Sequence, residues 1–447
     1  MSSPPSRAPQ VLVIGFGALG SIYALALSKA GAEITAVCRS NYEHVKTNGL
    51  NIQSAKFGKY PNWKPHQVIN DPEQARQQYF DYVVCTFKCV PDLEPTSDVI
   101  RPYLRNPADF PNDPIPESGL PCIVLMQNGV STEQEPYENL VLKEGLAGSV
   151  ISAVSWVTSN LLDGGKRVEH GSLERLSLGT YPSRPAVASK ERPSAGGVKS
   201  KGSSSDDPDH AKARLDAFVR LLEEGGATPQ PSDDVQPQRW KKLLWNASYG
   251  ALSTVSRQPV AALVSDASLH YTVSCVRRLM LEVLYVGRAC GMDEGVFPAK
   301  SVDDALQVTL DMRSVPQSAQ ESASLKQSAD NALAGEQTSS ATAAKPSNHT
   351  MSPDFKPSLL LDLENGRPME LLPIIGNVIE LARVHHVETP RLDLIMAALR
   401  PAQVQAIEAA RRKWGTGNSA SSAAVPAKKE ADVDGPRVEG APVAPSK

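Results

Sequence analysis

Gly15, Gly17 and Gly20 stand at G-x-G-x-x-G spacing within Gly15-Phe16-Gly17-Ala18-Leu19-Gly20, directly after the apolar run Val11-Leu12-Val13-Ile14. An apolar strand running into a glycine turn and then a helix is the arrangement that binds a dinucleotide. Gly15 permits the tight turn, Gly17 lets backbone approach a pyrophosphate, and Gly20 lets the helix pack close to the sheet. The helix expected over 18–30 aims its first N–H groups at the phosphates. A second strand, over 33–38, follows at the distance of a βαβ unit. Where an NAD site usually carries an acidic residue for the ribose 2′-hydroxyl, the chain reads Cys38-Arg39-Ser40-Asn41. A guanidinium there pairs with a 2′-phosphate, so Arg39 points to NADP; the alternative is a solvated surface arginine.

The elements that position these residues alternate between strand and helix patterns in the first half. Further strands are expected over 82–87, 122–127 and 149–157, with a short hairpin-like stretch over 168–178 and a turn at His170-Gly171. The expected fold is α/β: an amino-terminal Rossmann-type doubly wound sheet plus a carboxy-terminal all-helical domain. The expected division is a flexible lead (1–9), an NADP-binding domain (10–182), a low-complexity insertion (183–209), a helical substrate domain (210–312 and 357–414) interrupted by a second insertion (313–356), and a disordered tail (415–447). Leu215, Phe218, Val219 and Leu222 form the first helical stripe of that second domain. Longer helices are expected over 240–253 and 271–290, then at 359–364, 369–385, 392–399 and 404–414.

At 447 residues the chain has room for two domains. A net charge of −3 without a long basic run gives nucleic acid or an anionic membrane nothing to bind, and no run reaches transmembrane length. The proline-rich start reads as neither signal nor transit peptide, so the expected compartment is the cytoplasm, with the mitochondrion as the alternative. Six scattered cysteines, mostly in apolar runs, read as reduced and buried, with no metal spacing.

In sequence order, these motifs resemble the ketopantoate reductase (2-dehydropantoate 2-reductase) family. The resemblance runs through the glycine turn, Arg39, Thr86-Phe87-Lys88, Gln127-Asn128-Gly129, Trp240-Lys241-Lys242-Leu243-Leu244-Trp245-Asn246, Ser358-Leu359-Leu360-Leu361-Asp362 and Glu370. It implies reduction of 2-dehydropantoate to (R)-pantoate with NADPH, on the route to pantothenate and coenzyme A. The implied partners are a small 2-keto acid and, as a candidate assembly, a second copy of the chain. The alternatives are a reductase of another bulky 2-keto acid and a non-catalytic, NADPH-sensing Rossmann protein.

The resemblance also assigns roles. Lys242 matches the general acid, which stabilises and protonates the alkoxide that hydride attack creates. Asn246, four residues on, shares its helical face and matches a substrate contact. Without the resemblance, Lys241 and Lys242 read as two solvated lysines. Glu370 matches a carboxylate that holds the lysine charged and in place; the plain alternative is an exposed helix glutamate. Asn128 matches a residue touching both nicotinamide and substrate, and Lys88 one that pairs with the substrate carboxylate or a cofactor group. Either could instead be an ordinary turn or surface residue. Ser358 matches a substrate contact, or it caps the helix that follows Pro357. One position departs from the pattern. The family usually carries a second asparagine four residues after Asn246, on the same face; this chain has Gly250.

Overall fold

The computed structural model describes residues 7–183, 208–311 and 354–415. The two expected insertions and the tail lie almost entirely outside these residues.

The sheet is built from β1 (Gln10–Ile14), β2 (Glu33–Val37), β3 (Leu50–Ser54), β4 (Gly58–Trp63), β5 (Gln67–Ile69), β6 (Tyr82–Cys85), β7 (Cys122–Leu125), β8 (Ser149–Leu162), β9 (Arg167–Tyr181) and β10 (Pro229–Pro231). Strands β5-β2-β1-β6-β7-β8 run parallel in that spatial order, the doubly wound arrangement expected. Its switch point lies between β1 and β6, where ligands of such sheets bind. Each side chain of β1 is dictated by burial on both faces. Val11 and Val13 enter the core around helix α1 (Ala18–Lys29), whereas Leu12 and Ile14 enter the core on the opposite face.

Beyond β8 the sheet departs from the sequence reading. The stretch expected as a short hairpin is a long one, with β9 antiparallel to β8. An irregularity between Val157 and Ser159 divides the pair. Such bulges add twist, and past this one the far end of β9 pairs with β3. His170 therefore lies within β9 rather than in a turn. Its Nδ1 meets the Ser54 hydroxyl at 2.7 Å, and burial lowers its pKa to about 4. Strands β3 to β5 were absent from the sequence reading because they are short and half-exposed, without a strong apolar run.

Helix α2 (Pro208–Glu224) corrects the expected domain boundary. Leu215, Phe218, Val219 and Leu222 do form one stripe, but it packs in the same core as α1 and β1. The Arg214 guanidinium donates to the Asp81 carbonyl, and the Tyr82 hydroxyl donates to the Arg214 carbonyl. Burying Phe218 alone is worth about 1.5–3 kcal/mol, so the helix belongs to the nucleotide domain. β10 then joins the sheet beside β9.

The helical domain begins at α3 (Gln236–Trp245), which continues through one π turn (Asn246–Gly250) into α4 (Ala251–Ser256). The main surrounding helices are α5 (Asp266–Ala289), α6 (Lys300–Asp311), α7 (Ser358–Glu364), α8 (Asn377–Val384) and α9 (Pro390–Gly415). α9 is a single helix with Pro401 inside, where two segments were expected. Trp240, Leu243, Leu244 and Ala247 face this domain's core.

Candidate active site at the carboxyl ends of the strands

The glycine turn has the geometry its residues imply. Gly15 has φ +97°, and a Cβ there would lie 2.4 Å from the Phe87 nitrogen. A Cβ on Gly20 would lie 2.5 Å from the Gly15 carbonyl oxygen, so the helix packs as closely as expected. A Cβ on Gly17 would meet nothing within 4 Å. That open space lies at the amino terminus of α1, whose first N–H groups have no intrahelical acceptor and whose N-cap carries no side-chain bond. The turn therefore fits a pyrophosphate. Phe16, Ala18 and Leu19 complete it; the Phe16 carbonyl accepts from the Asn41 amide at 3.3 Å, tying the turn to the end of β2. Arg39 lies exposed at that end.

The second half of the site forms where the helical domain meets the loops after β6 and β7. Arg239 and Lys242 on α3 and Asn246 in the π turn that follows are spaced three and four residues apart, along one side of the helix. Together with Gln127, Asn128, Gly129, Val154 and Leu243 they line a space of about 10 Å³, room for roughly one water. The Lys242 Nζ donates to the Ser155 carbonyl at 2.5 Å and lies 5.7 Å from the centre of the Trp156 ring. Its neighbour Lys241 does not line this space, and burial lowers its pKa.

Glu370 is 4% exposed, not the exposed helix residue of the plain reading. It does not bond to Lys242. Its carboxylate accepts from the Cys89 N–H at 3.1 Å and the Asn128 amide at 3.0 Å. Burial raises its pKa, opposed by the Asn128 bond, the nearby Lys88 charge and the Cys89 bond. An ionised carboxylate only accepts, so this contact fixes the orientation of the Asn128 amide and leaves its Oδ1 as an acceptor. Asn128 thus stands between the two groups expected to pair.

Lys88 forms an ion pair with Asp362, whose side chain is 1% exposed and also accepts from Arg367 at 3.1 Å. Ser358, one turn before Asp362 on α7, is exposed, and the helix N-cap is Pro357 without a side-chain cap. The capping alternative for Ser358 therefore fails. Gly250 is not among the residues that line the enclosed space, and its would-be Cβ lies 3.8 Å from the Pro357 side chain.

The sequence reading missed Arg239 and Glu133. Glu133 is fully buried. Burial works to raise its pKa, but Arg239 and bonds from Ser152 and Gln236 outweigh it and hold the pKa below the usual value. One signal was available: Arg239 precedes Lys242 by three residues, on the same side of the helix.

Comparison with known proteins bears on this arrangement. The family model described as ketopantoate reductase PanE/ApbA matches residues 11–183, and its C-terminal counterpart matches residues 234–403. An uncharacterized protein of Saccharomyces cerevisiae is 26% identical over 397 residues, covering 86% of this chain and 91% of that protein. A 2-dehydropantoate 2-reductase of Nostoc sp. is 24% identical over 388 residues, covering 87% and 93%. Among solved structures, 2-dehydropantoate 2-reductase from Methylococcus capsulatus aligns with a TM-score of 0.60 at 24% identity, covering 89% of this chain and 97% of that one. D-mandelate dehydrogenase with NADH and anilino(oxo)acetate aligns with a TM-score of 0.60 at 15% identity, covering 89% and 99%.

Proposed function

The chain belongs to the ketopantoate reductase family of oxidoreductases acting on CH–OH groups, and from that membership we propose that it reduces 2-dehydropantoate to (R)-pantoate with NADPH. The observation that carries the proposal is the convergence of Lys242 and Asn246 from one domain and Asn128 from the other on one enclosed space. The dinucleotide would supply a hydride when bound; the turn from Gly15 to Gly20 would hold its pyrophosphate and Arg39 its 2′-phosphate.

Lys242 is the proton donor in this reading. Its ammonium carries three protons, and turning one from the Ser155 carbonyl to the substrate ketone oxygen stabilises the growing alkoxide and then protonates it. Asn246 orients the substrate from one helical turn away. Glu370 acts through Asn128: it holds the amide so that Oδ1 faces the ligand as an acceptor. Lys88 and Ser358 contact the substrate carboxylate and hydroxyl from the rim. Lys88 must exchange part of its pairing with Asp362 to do so.

A second reading, reduction of a different bulky 2-keto acid, draws on Gly250. The amide that the resemblance places there is missing, and the position lies beside Pro357. An assay of NADPH oxidation over a panel of 2-keto acids tests both. The expected result is the highest kcat/KM on 2-dehydropantoate; turnover of another keto acid with none on 2-dehydropantoate establishes the second reading. No turnover on any member revives the sensing protein. Light scattering on the purified chain tests the expected homodimer.

A further inference from the structure

We propose that Arg239 is a positioning residue for this reaction, a guanidinium clamp that sets the backbone on both sides of Asn128 and ties it to the helix bearing Lys242. The inference rests on the roles given above to Asn128 and Lys242. Arg239 is 3% exposed, and both of its terminal nitrogens donate hydrogen bonds. Its Nη1 donates to the Gln127 carbonyl at 2.7 Å and the Gly129 carbonyl at 3.0 Å, the two peptide oxygens that flank Asn128. Its Nη2 donates to the Ser152 hydroxyl at 2.7 Å and to the Ala153 carbonyl at 3.4 Å. Its Nε lies 3.0 Å from a carboxylate oxygen of Glu133.

Three physical points give this cluster a purpose beyond cohesion. A buried ion pair is a poor source of stability, because well-packed apolar side chains of similar volume do as well or better. Its return is geometric: a planar fork fixes several acceptors at once, as an ammonium on a flexible stem does not. The acceptors it fixes are those of the residue before Asn128 and the residue after it. The far side of the same loop is held separately. The Val130 N–H donates to the Pro373 carbonyl at 3.0 Å, and the Asn377 amide donates to the Val130 carbonyl at 2.7 Å. Glu370 then fixes the side chain. Because Arg239 and Lys242 are one turn apart on α3, the clamp also sets the spacing between the proton donor and Asn128. A misplacement of about 1 Å in such a pair costs on the order of 10²-fold in rate.

The test is Arg239→Lys, which keeps a cation opposite Glu133 and loses the fork. The expected result is kcat on the preferred 2-keto acid reduced about 30- to 100-fold, with the dissociation constant for NADPH within about twofold of wild type. Amide hydrogen exchange over residues 128–130 should accelerate more than about tenfold, without matching acceleration in β1 or β7. In Arg239→Ala, added guanidinium should restore part of kcat, whereas methylammonium should not. A kcat within about twofold of wild type in Arg239→Lys overturns the proposal, as does unchanged exchange at 128–130. If Arg239→Lys does not fold, Ser152→Ala removes one anchor of the fork; it should lower kcat about three- to tenfold at unchanged NADPH affinity, and an unchanged kcat overturns the proposal. A wild-type chain inactive on every 2-keto acid refutes the reading on which the clamp rests; the exchange measurement then judges the clamp alone.

Discussion

The glycine turn and the cleft beside α3 present their ligand groups in different ways. In the turn, six consecutive residues complete the site, and the recognising groups are backbone N–H donors at a helix start. In the cleft, the groups are side chains drawn from both domains, from Lys88 in the first to Glu370 in the second, and several are held by other side chains before any ligand arrives. The first region is sensitive to any atom added at Cβ. The second is sensitive to a functional group removed. This contrast predicts two kinds of mutational damage.

The sharpest break should come at Lys242. Lys242→Ala should lower kcat by about 10²-fold or more with NADPH affinity nearly unchanged, whereas Lys241→Ala should leave kcat nearly intact. Steady-state kinetics and cofactor titration on the two variants measure this, and the reverse pattern would move the proton donor to the wrong side of the helix. Next in size is Arg39, the side chain proposed to set cofactor choice. Arg39→Ala should reduce the preference for NADPH over NADH by about ten- to a hundredfold, read as the ratio of dissociation constants. Equal binding of both cofactors by the wild type would sink the assignment.

Gly17→Ala separates backbone recognition from packing. Nothing in the protein meets the new methyl group, so the thermal midpoint should hold within a few degrees. Cofactor affinity should fall about tenfold or more, ~1.4 kcal/mol, because the methyl group occupies the pyrophosphate's space. Unchanged affinity would show that the dinucleotide does not lie against this turn. The smallest effect is expected at Gly250. The nearest atom to its would-be Cβ is 3.8 Å away, and Asn has a higher helix propensity than Gly, so Gly250→Asn should fold. Its kcat/KM ratio between 2-dehydropantoate and a bulkier keto acid should change only about two- to threefold, because the site faces Pro357 and a marginal contact is worth well under 1.4 kcal/mol. A tenfold change would place position 250 in the substrate site after all.

The same contrast explains what could be read from the sequence. The turn was legible down to the tight packing of Gly15 and Gly20, because six adjacent residues carry its geometry. Lys242, Asn128 and Glu370 could be nominated by pattern, but their partners could not. Which carboxylate oxygen meets which donor depends on how two domains seat against each other, so Glu370 was expected on Lys242 and is found on Asn128. Arg239 was passed over because a lone arginine in a helix looks solvated until the strands facing it are known. Helix α2 was misplaced for a related reason: an apolar stripe says that a face is buried, not which core buries it.

The placement of α2 and β10 has a last consequence, which concerns inheritance. With α2 in the core around α1 and β10 paired to β9, the described strands of the sheet all lie at or before Pro231. Helices α3 to α9 all follow it, and Val130, Val154 and Trp156 reach from the first half into their core. Each set of described elements is therefore contiguous along the chain. A single recombination within a few codons could give the same dinucleotide platform a different helical partner and a new substrate, leaving every strand pairing in the sheet intact.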